Sequence, residues 1–488
     1  MPDSSATTPH RPAVTTAGLV ALAMLCTFFA GGRQAIELCA WFAPVPWLLW
    51  VRRVDDWRGR GLVLCAALVA AIAQLATIVT PPMSPLIALA FGVPAGLGLW
   101  LMLMVWDWLR RRTSEGHAIL AFAALNALSD WSGAMTSPMG TWATSSAGVT
   151  DDLALLQLTS VFGVAGIGFI MGWVPAWLAA VLAHPERRWR GHTLAIAVAL
   201  AGVYGFGTWR LAQPSEAPTV AVAAVTTELG FGEGGLPDRE QLAAEVDALF
   251  GRSLHAADRG ARLVVWNEGA TAVRPEEEHA LVDRGRRFAA EHHVDLVLAY
   301  IVVTGEGPLT FDNLAVFIDE SGEVLTRYYK RHPVPGETEP SDNPVPRLER
   351  PYGTVSLAIC YDADFPEMSR AHAAVGADLV ALPSSDWAGI DPIHTKMSRV
   401  RAIEGGYSVL RSTRWAASAA FDPEGRIRGW MRADEAHQQV LLAELPVARR
   451  ATLYTRIGNA PVALPALYLL ALGVLALRRR SQRRRSAP

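Results

Sequence analysis

The sequence predicts a multi-span α-helical membrane domain joined to an α/β layered domain. Two observations carry this reading. Of 488 residues, 51% are hydrophobic and only 18% charged, and long apolar runs crowd the first 213 positions before recurring once near the C-terminus. Between about 218 and 448, by contrast, charges are spread evenly among short aliphatic runs, as in an ordinary globular domain. The net charge of -2 gives no reason to expect nucleic-acid binding.

A spanning helix needs about 20 mostly apolar residues. The runs at 14–32, 35–51, 61–80, 84–109, 117–134, 154–183, 192–212 and 460–477 are the candidates, about seven in the N-terminal domain 1–213 and one after the α/β domain. Arg52, Arg53, Arg58 and Arg60 follow the second run, Arg110, Arg111 and Arg112 the fourth, and Arg187, Arg188 and Arg190 the sixth. Arg478, Arg479, Arg480, Arg483, Arg484 and Arg485 follow the last, whereas Thr80–Ser84 and Ser137–Asp152 carry no Lys or Arg. Alternating basic loops predict both termini in the cytoplasm and the 218–448 domain on the extracytoplasmic side. The basic tail at 478–488 then reads as a topology lock and a contact for anionic lipid. The first run has no clear cleavage site and reads as an uncleaved anchor. Asp130 is the main charged residue inside the runs.

In the α/β domain, strands are predicted at Val220–Val225, Arg262–Asn267, Asp295–Val303, Asn313–Ile318, Glu323–Tyr329, Thr354–Tyr361, Leu379–Pro383, Ser408–Ser412 and Gln439–Leu445. Several are continuous aliphatic runs, which suits strands covered on both faces. Asp319-Glu320-Ser321-Gly322 and Asp422-Pro423-Glu424-Gly425 are turn signals. Helices are predicted over Asp238–Arg259, Pro275–Glu291 and Asp391–Gly405; Pro275 followed by three glutamates suits a helix start.

Three reactive residues fall at predicted strand ends: Glu268 after Leu263–Asn267, Lys330 after Arg327-Tyr328-Tyr329, and Cys360 after Val355–Ile359. Ligands gather beyond the carboxyl ends of strands in such sheets, so the three could converge. Their types suit thiol acyl transfer. A carboxylate in a dry pocket serves as base for the thiol, and a lysine ammonium stabilises the tetrahedral oxyanion. Taken singly, each has a plainer reading: an inert buried cysteine, a solvated or capping glutamate, a surface lysine. His394 and Glu404, on one predicted helix, read as structural, and His292-His293 lacks partners for a metal. No phosphate-binding glycine motif appears, so no nucleotide cofactor is implied.

The order and flanks of these residues resemble the nitrilase, or carbon–nitrogen hydrolase, superfamily. The matching pieces are Trp266-Asn267-Glu268, Tyr329-Lys330-Arg331-His332 with Val334-Pro335-Gly336-Glu337, Ile359-Cys360-Tyr361, Pro383-Ser384-Ser385-Asp386-Trp387 and Arg401-Ala402-Ile403-Glu404. Such a domain set between seven spans and an eighth resembles the apolipoprotein N-acyltransferase family. The resemblance implies an α-β-β-α sandwich and a ping-pong reaction in a bacterial inner membrane. Cys360 would take an acyl chain from a phospholipid, with Glu268 as base and Lys330 at the oxyanion. The thioester would pass the chain to the α-amine of an S-diacylglyceryl cysteine on an apolipoprotein. Glu337 matches a second glutamate of the family, Tyr361 the aromatic after the nucleophile, and Trp387 a tryptophan-bearing segment; Asp362 stands where the family usually has Glu. The implied partners are phospholipid donor, apolipoprotein acceptor and membrane lipids, with no cofactor, no metal and no nucleic acid. The alternatives are a membrane-anchored amidase of the same superfamily, or a transporter or sensor with an inactive domain.

Overall fold

The computed structural model describes residues 15–485 apart from 82, 214–216, 228, 231–234, 308, 335, 339–340 and 433–438, and omits the side chains of 143, 306 and 480–485. Pro335 of the lysine motif and the side chains of Arg480, Arg483, Arg484 and Arg485 therefore lie outside the described residues.

Among the described residues, five helices are long and apolar enough to cross a membrane: Trp57–Ala76, Leu86–Arg110, Val164–Ala183, Arg190–Ala212 and Ala460–Arg479. The helix Glu115–Thr136 matches the run expected at 117–134 in length, but Asn126 and Asp130 dilute its apolar character. The first run forms only Thr16–Phe28, about 20 Å of helix against a hydrocarbon core of about 30 Å. The second breaks into Glu37–Phe42 and Pro44–Val51. The expectation of one continuous span at 154–183 is corrected: Gly163 takes φ 60° and separates two four-residue helices, Leu153–Leu156 and Thr159–Phe162, from the long helix that follows. A side chain at 163 would also strike the Tyr454 ring at 2.7 Å. Small residues bring the long helices together. Gly92 and Gly96 lie against the backbone of Ile72 and Leu68, and Gly168 and Gly172 against Asp130 and Asn126. Asp130 is used there: its Oδ2 accepts the Ser145 N–H at 3.0 Å.

The α/β part holds two sheets. Strands β1 (Thr219–Val225), β2 (Leu263–Trp266), β3 (Ala272–Val273), β4 (Asp295–Glu306), β5 (Leu309–Ile318) and β6 (Val324–Tyr329) form one with β13 (Val440–Pro446), in the order β13-β1-β2-β4-β5-β6, β3 pairing with β4. The second runs β12-β11-β10-β9-β8-β7, from β7 (Leu348–Arg350), β8 (Gly353–Leu357), β9 (Leu379–Ser385), β10 (Ser408–Arg414), β11 (Ser418–Phe421) and β12 (Ile427–Met431). The period of two divides the side chains cleanly. Val222, Val265, Val297 and Phe317 pack between the sheets with Val355, Leu357, Leu379 and Leu410. Ala223, Val225, Val264, Leu296 and Leu298 face outward under helices Arg239–Asp258 and Pro275–His292. Helices Pro366–Ala374 and Ile393–Gly405 cover the second sheet, completing the α-β-β-α sandwich. Thr354–Tyr361 is not one strand, because β8 stops at Leu357 and the chain turns at Cys360.

The sandwich sits on the loops that lack basic residues. Trp387 Nε1 donates to the Ile78 carbonyl at 2.6 Å, Lys396 pairs with Asp151 at 2.6 Å, and Arg399 donates to the Thr150 carbonyl at 2.8 Å. Gln157, in the turn between the two short helices before Gly163, donates to the Glu424 carbonyl at 2.9 Å.

Candidate active site

Each strand end delivers one side chain for a local reason. After β2, the Asn267 side chain accepts the Thr227 N–H and donates to the Glu268 carbonyl, both at 2.9 Å, which sets the turn. Glu268 then reaches across to the facing sheet, its N–H donating to the Ser384 carbonyl. Lys330 follows β6 directly, and its N–H donates to the Asn313 carbonyl at 3.0 Å. Glu337 arrives on a loop folded back against β5, where Phe311 hydrogen-bonds with Gly336 and Thr338.

These residues form one cluster. Lys330 Nζ donates to Glu268 Oε1 and Glu337 Oε1, both at 2.8 Å, and Asn313 Nδ2 donates to the same two oxygens at 2.7 and 2.6 Å. Burial alone would favour a neutral lysine; the carboxylates of Glu268 and Glu337 outweigh it and hold Lys330 above the ordinary lysine value. Burial pushes Glu337 up, with Lys330 opposing and Glu268 adding to the rise.

Cys360 adopts φ 45°, a left-handed conformation costing on the order of 1–3 kcal/mol for a residue other than glycine. The chain then enters the turn Cys360–Asp364. The Cys360 thiol is buried, 3.6 Å from the Ser385 carbonyl and 3.9 Å from Asp386 Oδ1. Burial raises its pKa well above the ordinary thiol value; Glu268 and Asp386 raise it further, while Lys330 and Arg411 oppose. The resting group is therefore a neutral thiol that needs a base during attack.

Asp362 ties the nucleophile turn to the lysine loop. Its Oδ2 accepts from Tyr328 Oη at 2.9 Å and Ile359 N–H at 3.0 Å; its Oδ1 accepts from the N–H groups of Arg331 and His332 at 3.1 and 2.9 Å and bonds His332 Nδ1 at 3.0 Å. Burial raises its pKa, but these donors and the His332 charge bring it below the usual carboxylate range. Asp362→Asn replaces an acceptor by a donor among N–H groups. We expect a melting temperature lower by several degrees and at least about a tenfold fall in kcat, measured by thermal unfolding and single-turnover acylation.

Tyr361 packs edge-on to Phe365, with ring centroids 5.0 Å apart. Trp387 lies with Ile78, Met139 and Trp142 where the sandwich meets the membrane helices.

A second buried network borders the sulfur, and sequence reasoning missed it. His394 Nδ1 lies 2.8 Å from Asp386 Oδ1 and its Nε2 3.0 Å from Asp364 Oδ1; Arg411 Nη2 donates to Asp386 Oδ1 at 2.9 Å. Burial opposes the imidazolium, but the two carboxylates hold the His394 pKa up to about 9. Trp142 Nε1 donates to Asp364 Oδ2 at 3.1 Å, so the network reaches the loop after helix Glu115–Thr136. Cys360, Asp386 and His394 have the donor types and spacing of a metal site, but the Arg411 guanidinium stands 2.9 Å from both Asp386 Oδ1 and His394 Nδ1 and already supplies the positive charge. Arg414 adds another cation, bonding Ser385 Oγ at 2.8 Å and the Leu229 carbonyl at 2.6 Å; burial lowers its pKa to about 10.

A folded pKa above the free value of 6.5 means that the His394 contribution to stability is full below that value and lost as pH rises through about 9. His394→Gln is expected to melt several degrees below the parent protein at pH 7, with the gap closing above pH 9. Thermal unfolding of both proteins at pH 7 and pH 10 checks it.

The carbon-nitrogen hydrolase family model matches residues 219–454. Similar curated proteins are named apolipoprotein N-acyltransferase. That of Bradyrhizobium diazoefficiens is 28% identical, covering 80% of this chain and 79% of its own length. That of Gloeobacter violaceus is also 28% identical, covering 97% of this chain and 88% of its own. Among solved structures, an amidase from Nesterenkonia sp. is similar at a TM-score of 0.42 and 22% identity, covering 51% of this chain and 97% of that one. Residues 219–454 thus form a carbon–nitrogen hydrolase domain, which carries a buried thiol beside a Glu–Lys–Glu cluster and is seated on apolar helices.

Proposed function

We propose that this protein is a membrane N-acyltransferase of lipoprotein maturation. It moves a fatty acyl chain from phospholipid, through a Cys360 thioester, to the α-amine of an S-diacylglyceryl cysteine. The observation that carries the reading is the Glu268–Lys330–Glu337 cluster, at 2.8 Å contacts, beside a buried cysteine in a domain seated on membrane helices. Similarity over most of the chain to proteins named as N-acyltransferases supports it.

In the first half-reaction, Glu268 takes the thiol proton as sulfur attacks the ester carbonyl. The S–C bond forms, Lys330 Nζ stabilises the oxyanion, the ester C–O bond breaks, and the proton passes to the leaving alcohol of the lysophospholipid. In the second, the acceptor amine attacks the thioester. The N–C bond forms, the C–S bond breaks, and Glu268 relays the amine proton to sulfur. Glu337 keeps the lysine charged and placed. Asp362 holds the nucleophile turn, and Tyr361 and Trp387 line the approach from the membrane side.

We take 1–213 as the transmembrane domain, 218–448 as the catalytic domain, 460–477 as the last span and 478–488 as a cytoplasmic tail. The catalytic domain is extracytoplasmic. Docking of the domain on loops free of Lys and Arg supports that orientation, because the basic loops then share the other side. The test is transfer of a labelled acyl chain from phospholipid vesicles to a diacylglyceryl-cysteine peptide by the purified protein. Label on the free amine, and none on an N-acetylated peptide, supports N-acylation. Release of free fatty acid without peptide labelling overturns it in favour of hydrolysis.

A further inference from the structure

Cys26 and Cys39 take no part in this chemistry. The first lies near the end of helix Thr16–Phe28 and the second near the start of helix Glu37–Phe42. Between them the chain turns back on itself. Ile36 N–H donates to the Phe29 carbonyl at 2.7 Å, and Gly32 takes φ 71° in the turn. Each cysteine lies three residues outside the Phe29–Ile36 pair, close to one helical turn, so both side chains come back to one face of the hairpin. The two helices that carry them pack against each other, and both thiols are free and half-buried.

The hairpin tip lies on the catalytic side of the molecule. Gly148 packs so tightly beneath it that an added Cβ would meet the Ala30 carbonyl oxygen at 2.4 Å. Gly148 belongs to the stretch that contributes Thr150 and Asp151 to the sandwich. Cys65 is exposed on the separate helix Trp57–Ala76, and Cys360 is buried in the active site.

We propose that Cys26 and Cys39 form a disulfide in the mature protein, stapling the first hairpin beneath the catalytic domain. The proposal rests on the extracytoplasmic placement of that face, where disulfides persist. Two S–H bonds are lost and one S–S bond forms. The two protons and two electrons pass to a protein or small-molecule disulfide oxidant, which is reduced to its dithiol. The staple would steady the turn Ser145–Gly148, which lies on the hairpin and, through Asn126 and Asp130, on the helix Glu115–Thr136.

The test traps thiols in membranes with N-ethylmaleimide in denaturant, without reductant. The protein is then reduced, labelled with a heavier maleimide and mapped by peptide mass. The expected result is the heavier label on Cys26 and Cys39 and the lighter one on Cys65 and Cys360. The lighter label on all four overturns the proposal. Copper–phenanthroline added to intact membranes then separates the causes: a Cys26–Cys39 bond that now forms puts the fault in the orientation, and no bond puts it in the pairing. Cys26→Ser, Cys39→Ser and the double variant should keep basal activity and share one shortened half-life of heat inactivation. The parent protein should acquire that half-life in dithiothreitol, and the double variant should be indifferent to the reagent. A parent half-life unmoved by dithiothreitol would deny the staple its stabilising role.

Discussion

Cys360→Ser is expected to yield a folded, membrane-inserted protein whose turnover falls by about ten-thousandfold or more. The cavity accepts the change, since the sulfur makes only long contacts, at 3.6 Å to the Ser385 carbonyl and 3.9 Å to Asp386 Oδ1. The left-handed backbone at this position is as strained for serine as for cysteine. What disappears is nucleophilicity. A hydroxyl ionises far less readily than a thiol, and even the thiol here is held neutral by burial and two carboxylates. The melting temperature should stay within a few degrees of the parent value, and acyl transfer should fall to background. Substantial turnover by the serine variant would remove Cys360 from the chemistry.

Glu268→Gln is expected to slow formation of the acyl-enzyme by roughly a hundredfold to ten-thousandfold, the range for loss of a general base. The substitution keeps the shape of the side chain, and Glu337 remains 2.8 Å from Lys330 Nζ to hold the ammonium in place. Because the thiol pKa is raised well above its ordinary value, alkaline buffer does not substitute for the missing base. Single-turnover acylation at pH 7 and pH 9 should show the same deficit. Recovery at pH 9 would mean that the thiol ionises unaided and that Glu268 acts only as a partner of Lys330.

Much of this arrangement was legible because it follows strand ends. Glu268, Lys330 and Cys360 each follow a predicted strand, and the strands before the first two are β2 and β6 with only small shifts at their ends. The run before Cys360 shows the limit of periodicity. Nothing in Val355–Ile359 signals that the strand stops at Leu357 and that a cysteine then takes φ 45°; the buried Asp362 carboxylate, bonding Ile359 N–H, makes that turn. The run at 154–183 misled for a related reason. It is apolar throughout, but Gly163 divides it, and Gln157 on the first piece bonds the Glu424 carbonyl of the sandwich.

The Asp364–His394–Asp386–Arg411 network escaped notice because its members lie on four separate elements. A signal was present. Arg411 stands inside the predicted strand Ser408–Ser412, next to Val409 and Leu410, and a charge buried there requires a buried partner. Asp386 also follows β9 directly, the same strand-end placement that singled out the other three residues. Cys26 and Cys39 escaped for want of a turn: an apolar sequence shows two spans but not the tight hairpin that brings them together.

The measurement that bears most directly on the account is the intact mass of the purified protein after incubation with phospholipid alone, with peptide mapping of any adduct. The expected result is one fatty-acyl group on Cys360, absent from Cys360→Ser and discharged when diacylglyceryl-cysteine peptide is added. A folded protein that remains unacylated while transferring acyl chains to the peptide would contradict it, because transfer would then bypass the thioester.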